Sequence, residues 1–574
     1  MGFPSGGGGS GPPPATTVTG PDTFGQAAVV GTGTNYARND HGHGLPAAPA
    51  GTGRTALYVA ASNSPSAMSI GCDYICTGTD DDATINSALA ALTNGGKVIL
   101  LNGDFYSSAT GGVVVGGDGV TLEGSGRRGD TRIHIPASFT GTAGVALTAT
   151  QYCTLRDLEV YFDAPAGITA PGVHTLCTEP VVDGVTVHYP GGSGVVVDGT
   201  GDNAWILDCE VLFAGAGGGT TSDAYVVTSG FTNAIFLNCY VQGGSPISCG
   251  ILTSSLASGT AYTSLSVRAL VNPVAAGDQI VIDAPARFGG ASTTQVVTAS
   301  AAAAVGATTI DVDSFTAGAA FTAYQAVVVD LTRSPTRYGF NVGSGSNQLI
   351  NCHPYFCYEA GVYCDSGTSM TIIGGQYENC GWTNMSLQAI WSGEVIGATV
   401  YGNAQYASVF CYNWKYSTLT GCTINGDNAV WGLYCYDLNY CSVTGNSVIG
   451  AAGSGSGGAT FYCNGGSYAS YVGNSIDGSA NIALSSFGAH VVFANNPGIN
   501  PFGPQAAPAV PASGTALTNP FPFDTAVYVS GGTVTAVDLG GTATGLTSGQ
   551  FSVPAGETIT LTYSAAPTWV WVGS

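Results

Sequence analysis

The sequence predicts an all-β protein, the main part of which is a right-handed single-stranded parallel β-helix of about 12 rungs. Glycine accounts for 87 of the 574 residues and charged residues for 8%, whereas hydrophobic residues reach 44%. The chain has far more glycine and far less charge than an average globular protein, and is too hydrophobic to be disordered. A short turn motif also returns at nearly constant intervals. Together these observations favour stacked strands joined by tight turns.

The turn motif consists of Asp, Asn or Gly followed by a small residue, with β-forming residues on both sides. Eleven positions carry this anchor residue: Asp157, Gly184, Asp208, Asn238, Asn351, Gly374, Gly397, Gly421, Gly445, Gly473 and Asn495. Nine of the ten intervals between them are 22 to 30 residues long, about one turn of a β-helix. A twelfth rung is predicted near Gly124.

Two columns of small residues are predicted to face the interior. One contains Cys364, Ile390, Cys411, Cys435, Cys463 and Leu484. The other follows the anchors and contains Cys209, Cys239, Cys352, Gly375, Ala398, Cys422, Asn446, Asn474 and Asn496. We expect the cysteines in these columns to act as small buried hydrophobic residues. Disulfides between neighbouring rungs, such as Cys411 with Cys435, are the alternative.

The N-terminal part combines a low-complexity segment with a capped β-helix. Residues 1–56 are rich in glycine and proline. The first part of the β-helix, 57–253, contains one predicted helix at 80–94, capped by Thr79 or Asp80 and ended by Gly95. Its apolar stripe consists of Ile85, Ala88, Leu89 and Leu92. We expect this stripe to cover the open end of the β-helix core.

The remaining chain is predicted to hold two smaller β-modules. The one long interval between anchors leaves room for an insertion at 254–337, where two similar halves alternate with period two and predict a small β-barrel or sandwich. The β-helix then continues through 338–496. Prolines make 497–520 a stiff linker, and 521–574 form a β-sandwich-like module.

Charge excludes two classes of partner. The formal net charge is −23 with only 12 basic residues, so we expect neither nucleic-acid binding nor attachment to an anionic membrane. No run of about 18 apolar residues appears, which argues against membrane insertion. The N-terminus also lacks a signal-peptide pattern.

The acidic residues offer weak candidates for catalysis or calcium binding. They are Asp157, Asp183, Asp208, Glu159 and Glu210. Glu159 and Glu210 share one offset from their anchors, two rungs apart, or about 10 Å. Glycosidases need paired carboxyl groups at such separations. The alternative is that aspartates at turns accept backbone N–H bonds.

Aromatic residues are concentrated in the second part of the β-helix. Residues 351–471 hold 14 of the 28 tyrosines and 4 of the 7 tryptophans. Alternation predicts an outward-facing aromatic face formed by Tyr363, Trp391, Phe410, Tyr412, Tyr434, Tyr436 and Tyr462. Such a face suits the apolar faces and hydroxyls of sugars, and it equally suits an interface between copies of the chain. Trp569 and Trp571 are a secondary glycan candidate or the core of their own module.

Three stretches carry a family resemblance. They are Thr79-Asp-Asp-Asp-Ala-Thr-Ile-Asn-Ser-Ala-Leu with Gly95-Gly-Lys-Val-Ile-Leu-Leu-Asn-Gly-Asp-Phe-Tyr, then Tyr36-Ala-Arg-Asn-Asp-His-Gly-His-Gly, and finally Thr518-Asn-Pro-Phe with Trp569-Val-Trp. The chain resembles the tail fibres, tailspikes and minor tail proteins of bacteriophages, particularly of phages infecting actinobacteria, that contain a pectate-lyase-like parallel β-helix.

This resemblance implies a homotrimeric virion protein at the tail tip or tail fibre, made in the host cytoplasm. It would attach to the host surface by binding cell-wall glycan, and residues 1–56 would join it to other tail-tip or baseplate proteins. The alternatives are a tailspike depolymerase, acting as a glycoside hydrolase or polysaccharide lyase, and a secreted polysaccharide lyase. No cofactor is required, although a trimer would bring His41 and His43 of three chains together as ligands for a transition metal.

Overall fold

The computed structural model describes residues 55–573, apart from 127–128, 219–221, 245–248, 271, 285–292, 325, 333–334, 344, 403, 427–428, 452–458, 478–481, 486–489, 499–501, 522. The chain divides into two units, 1–54 and 55–574. The predicted metal ligands His41 and His43 lie outside the described residues.

The second unit contains a parallel β-helix, which confirms the predicted fold class. Three parallel sheets run along it, and each strand pairs with its equivalent in the next turn, as Val160 does with Ile133 and Val187. The first sheet contains, in spatial order, Tyr74–Ile75, Ala56–Ala60, Gly96–Leu100, Val120–Gly124, Thr154–Arg156, Val181–Asp183, Asp202–Leu207, Thr232–Leu237, Ser346–Ile350, Ser369–Ile373, Glu394–Ile396, Thr418–Thr420, Ser442–Thr444, Ser470–Val472 and Val492–Ala494. The second sheet contains Gly103–Tyr106, Thr131–Ile135, Glu159–Phe162, Thr186–His188, Glu210–Leu212, Tyr240–Gln242, His353–Tyr355, Gln376–Glu378, Thr399–Tyr401, Thr423–Gly426, Ser447–Ala451 and Ser475–Ile476. The third sheet contains Val113–Val115, Val145–Leu147, Val173–Thr175, Val195–Val197, Tyr225–Val227, Tyr338–Val342, Ala360–Asp365, Thr383–Gln388, Ala407–Tyr412, Trp431–Tyr436, Ala459–Asn464 and Ile482–Ser485.

The predicted rung count of about 12 is too low, because the first sheet has 15 strands. The twelve predicted rungs correspond to the strands from Val120–Gly124 to Val492–Ala494. The three additional strands are Ala56–Ala60, Tyr74–Ile75 and Gly96–Leu100. Helices connect these three strands along the chain, with Ser66–Ser69 between the first two and Asp81–Ala90 before the third.

The anchors share one backbone conformation. All eleven predicted anchor residues adopt a left-handed conformation, with φ between 49° and 68°. Glycine adopts this conformation freely, and Asp and Asn tolerate it best among the other residues. The turn therefore selects the three residue types that reveal the repeat in the sequence.

The inward columns follow the predicted register with one exception. Cys411 lies opposite Cys435 and Cys435 opposite Cys463, but the partner of Cys411 on its other side is Leu387, not Ile390. Ile390 lies beyond the end of its strand, in the following turn. The second column ends in buried asparagines, where Asn446 Nδ2 donates to Asn474 Oδ1 over 2.9 Å and Asn474 Nδ2 to Asn496 Oδ1 over 3.0 Å. Fifteen of the sixteen cysteines have described side chains, and all fifteen are free of disulfides.

A helix covers the N-terminal end of the core. It spans Asp81–Ala90, and the short helix Ser66–Ser69 precedes it. Its stripe residues Ile85, Ala88, Leu89 and Leu92 all belong to the main hydrophobic core. Asp80 occupies the cap position without a side-chain capping bond. Instead, the buried Asp82 accepts hydrogen bonds from the backbone N–H groups of Ser108 and Gly112, which fastens the helix to the neighbouring coil.

The inserted module has its own hydrophobic core. Its strands are Cys249–Ile251, Val327–Asp330, Gln279–Ala284 and Thr293–Thr298 in one sheet, and Ala261–Ser266 and Thr309–Thr316 in a second. All these pairs are antiparallel.

The C-terminal module consists of two four-stranded antiparallel sheets. One contains Gly503–Gln505, Thr568–Gly573, Thr525–Ser530 and Gly549–Val553, and the other contains Ala516–Thr518, Thr558–Ala565, Thr533–Leu539 and Thr542–Ala543. Two of these strands lie in the proline-rich segment, which is therefore part of the module. Trp569 and Trp571 are 7% and 0% exposed and belong to the core of this module, which was the alternative to a secondary glycan site.

Candidate functional site

The predicted aromatic face is largely covered. Its register is correct for Tyr363, Phe410, Tyr434 and Tyr462, which share one row, and for Tyr412 and Tyr436, which share another. However, Phe410 is 0% and Tyr434 6% exposed. They pack in a satellite core with Trp382, Tyr406 and valines of the inserted module. The prediction that all these rings face solvent is wrong, because the inserted module folds over them.

Trp391 lies elsewhere, on a corner of the β-helix. With Tyr416, Tyr440, Tyr468 and His490 it forms an exposed ladder of rings in the turns that lead into the first sheet. Tyr416 and Tyr440 stack at 5.1 Å, and Tyr440 and Tyr468 at 4.7 Å. Lys415 Nζ lies 5.0 Å from the centre of the Trp391 ring. The prediction placed Trp391 beside Tyr412, an error that follows from assigning Ile390 to the cysteine column.

The predicted acidic candidates divide into two groups. Asp157 and Asp208 occupy left-handed turns, and Arg156 bridges Asp157 and Asp183, with 3.1 Å to each carboxylate. Asp208 Oδ1 accepts a hydrogen bond from Asn238 Nδ2 over 3.0 Å. These contacts are typical of polar side chains that stabilise turns.

Glu159 and Glu210 lie on the outer side of the second sheet, in one row with Thr186 between them. Glu210 is half-buried beside Tyr240, whereas Glu159 is buried among polar groups. Only Glu159 therefore belongs to a larger cluster.

That cluster contains a continuous run of rings, which we call the ring track. Its members are Tyr106, His134, Tyr161, His188, Tyr189 and Phe213. His134 stacks on Tyr106 at 4.8 Å, and Tyr161 lies 5.6 Å from His134 and 5.3 Å from His188. The strands that carry these rings are neighbours in the second sheet, so the strand spacing of about 4.8 Å sets the spacing of the rings.

Charged side chains border the ring track. Arg132 Nε donates to Glu159 Oε2 over 2.9 Å, and His188 Nε2 lies 3.5 Å from Glu159 Oε1. His134 lies between two carboxylates, with Nδ1 2.6 Å from Asp163 and Nε2 3.2 Å from Asp104. Contacts at both ring nitrogens hold the His134 imidazole in one orientation.

Two of the carboxylates beside the track, Glu159 and Asp104, have a lowered pKa. Burial opposes the charge of Glu159, but hydrogen bonds and charges of His188 and Arg132 lower the pKa of Glu159 overall. Burial also opposes the charge of Asp104, and Asn63, His134 and Arg132 together lower the pKa of Asp104. The track thus combines ring surfaces with oriented acceptors, an oriented guanidinium and two imidazoles. Within the described residues, no group of three or more His, Cys, Asp or Glu side chains is arranged to hold a metal ion.

None of the six rings of the track was predicted from the sequence, and of the groups that border them only Glu159 was a candidate. A usable signal was present, because Tyr161 and His188 each stand four residues after an anchor, as do Gln242, Tyr355 and Tyr401 further along the sheet. Aligning that offset over all anchors would have revealed the row. His134 lies on the strand Thr131–Ile135, ten residues after Gly124, so an offset of four residues does not reach it.

The chain is similar to several solved structures, all at low identity. The A-module of mannuronan C-5 epimerase AlgE4 from Azotobacter vinelandii is 14% identical, with a TM-score of 0.39, and the match covers 73% of this chain and 96% of that one. The Dettilon tailspike protein is 13% identical with a TM-score of 0.36, covering 85% and 90%. Tailspike protein 3 of bacteriophage CBA120 is 10% identical with a TM-score of 0.35, covering 77% and 63%.

Neighbours of this kind include tailspikes, a pectate lyase, an alginate lyase and an epimerase, and they share the β-helix plan with this chain. No protein-family model matches the sequence, and no curated protein matches it. In the part of the chain that the structure describes, no helix is long and apolar enough to cross a membrane. The parallel β-helix fold of this chain follows from its own three parallel sheets.

Proposed function

We propose that the protein is an attachment protein that binds a surface glycan along the ring track. The observation that carries this proposal is the unbroken run of six rings bordered by oriented hydrogen-bonding groups. Ring surfaces with polar edges suit sugars, which combine apolar C–H faces with hydroxyl groups. The carboxylates beside the track outnumber its one guanidinium, and this favours a neutral glycan over an anionic one.

The test compares alanine substitutions of two tyrosines, one inside the ring track and one outside it. Tyr161→Ala removes the central ring of the track, whereas Tyr440→Ala removes an exposed ring of the ladder on another face. We expect Tyr161→Ala to reduce binding to purified bacterial cell-wall polysaccharide at least tenfold, with Tyr440→Ala close to wild type. Equal loss in both variants, or in neither, would contradict the proposed site.

The biological setting that we propose is a bacteriophage tail, where the chain would act as a homotrimeric fibre, spike or minor tail protein. The support is the sequence resemblance at residues 36–44, 79–106 and 518–571. Light scattering of the purified protein and its stoichiometry in a virion test this setting. A monomer, or absence from the tail, would contradict it.

A second candidate function is depolymerisation of the same glycan. The observation that favours it is His134, which two carboxylates orient beside Tyr161 in a half-buried site, an arrangement suited to proton transfer. Incubation with the polysaccharide would then release new reducing ends or unsaturated products. His134→Ala should abolish that release, and binding without any release by the wild type would leave attachment as the sole function.

A further inference from the structure

A cleft of about 600 Å³ lies where the inserted module meets the β-helix. Its lining includes Tyr189, Phe213, Ala216, Gln279, Thr332 and Pro335. Clefts of this size commonly hold small ligands. It adjoins the ring track, because Tyr189 and Phe213 belong to both.

The floor of the cleft is a rigid pair of rings. Tyr189 and Phe213 stack with centroids 5.2 Å apart and planes 19° apart, and Tyr161 contacts Tyr189 edge-on at 5.8 Å. Both floor residues adopt left-handed backbone conformations, with φ of 51° and 57°. That conformation is unfavourable for aromatic residues, so packing must hold the two rings in place.

The wall from the inserted module is polar and uncharged. Gln279 N donates to Thr332 Oγ1 over 2.8 Å, and Leu331 N donates to the Gln279 carbonyl over 2.8 Å. These bonds fix the backbone of the wall. On the same lining, a Cβ added to Gly218 or Gly277 would meet nothing within 4 Å, so the space in front of both glycines is open.

Charge distinguishes the cleft from the adjoining track. None of the described residues that line the cleft is charged, whereas the track is bordered by Asp104, Arg132, Glu159 and Asp163. An anionic or cationic group would therefore lose its hydration in the cleft without a partner. An uncharged sugar would lose little, since ring faces and amide or hydroxyl groups match its own surfaces.

We infer that this cleft is a separate subsite for one or two uncharged sugar units, with Tyr189 and Phe213 as the stacking platform. The inference rests on the proposed glycan binding and adds the class of sugar and the part played by the inserted module. The module would thus complete a binding site in addition to covering the aromatic face.

The test uses small probes that fit the cleft. Maltotriose, cellotriose and triacetylchitotriose serve as neutral probes, and trigalacturonic acid as the charged comparison, each titrated against the full chain by saturation-transfer NMR. Ala216→Trp fills the cleft from a residue outside the ring track, and Phe213→Ala removes half of the platform. We expect at least one neutral probe to bind the wild type, the charged probe to bind at least tenfold more weakly, and each variant to lose at least tenfold.

Three outcomes would overturn the inference: no neutral probe binds, the charged probe binds as well as the best neutral one, or both variants bind like the wild type. The proposed function fails separately, when wild-type protein does not bind polysaccharide or when Tyr161→Ala binds it normally. Because Ala216→Trp leaves the track unchanged, its binding to long polysaccharide also shows that the variant is folded.

Discussion

The β-helix before the inserted module and the β-helix after it share the anchor conformation and the parallel strand register, but their outer surfaces differ. Before the insertion, tyrosine rings alternate with histidine imidazoles, and both lie half-buried beside charged groups. After it, rings pack on rings and valines, and Phe410 and Tyr434 are buried. The half with more aromatic residues is thus the half that uses them for packing. Aromatic content alone did not locate the candidate site, whereas the mixture of rings and charges does.

The largest expected effect comes from the interior that both halves share. Cys435→Arg places a charge in a column with apolar neighbours on both sides, and it should destabilise the protein by more than about 4 kcal/mol. Urea unfolding measures this, or the variant fails to fold. Ile449→Arg, at an exposed position of the next coil, is the control and should unfold like the wild type. A stable Cys435→Arg would refute the register of the core.

The next prediction distinguishes packing from glycan binding for the aromatic residues in the second part of the β-helix. Phe410→Ala should lower stability by about 3–5 kcal/mol because it opens a cavity beneath the inserted module. Trp391→Ala, at a residue that is 54% exposed, should cost less than about 1 kcal/mol. Binding of cell-wall polysaccharide should be unchanged in both folded variants. If Phe410→Ala is as stable as the wild type but no longer binds polysaccharide, the aromatic face would be the binding site.

A pH effect is expected at the boundary between the two halves. Asp223 is buried beside Tyr338, and it accepts hydrogen bonds from the Tyr338 N–H over 3.2 Å and from Asn341 Nδ2 over 2.8 Å. Burial outweighs these bonds and the charge of Arg337, and it raises the pKa of Asp223 to about 7. Since the folded state then holds a proton that the unfolded state releases near pH 4, stability falls as pH rises from about 4 to about 7, by roughly 4 kcal/mol.

Chemical unfolding between these pH values, compared with Asp223→Asn, isolates this contribution. The variant stays neutral, so its stability should exceed that of the wild type increasingly as pH rises. Parallel pH profiles of the two proteins would show that Asp223 ionises normally in the folded state.

The smallest effect concerns the exposed ladder. Tyr440 has φ of 56°, a conformation that costs a non-glycine residue about 1–2 kcal/mol, while its stacking contributes about 0.5–1.5 kcal/mol. Tyr440→Gly should therefore change stability by less than about 1 kcal/mol, and Tyr440→Ala, which loses the stacking but keeps the strain, should be less stable than Tyr440→Gly. If thermal unfolding shows that Tyr440→Gly is less stable than Tyr440→Ala, the backbone of this turn has left its left-handed conformation in the alanine variant.

The features that repeat in every rung could be predicted from the sequence. The contacts that occur at only one place in the fold could not. The anchor turn restricts position 184 or 351 to a few residue types, so spacing alone located the strands and most of both inward columns. Exposure of Phe410 depended on where the inserted module lies, and that is a tertiary contact with no local signal. The cluster around His134 was missed because His134 stands ten residues after Gly124, whereas Tyr161 stands only four after its anchor. Similarly, Trp391 was misplaced because its strand ends before Ile390.

The two ends of the β-helix bear on the length of the assembled molecule. A β-helix is formally an open-ended stack, and an uncovered terminal coil would offer unpaired strand edges to another copy. Here the Asp81–Ala90 helix closes one end, and at the other Phe523 joins the main core and stacks on Phe502 at 3.8 Å. The helix and Phe523 therefore cover the two ends of the β-helix core and oppose end-to-end association of copies. Any side-by-side assembly of this chain would then have a length fixed by its own coils.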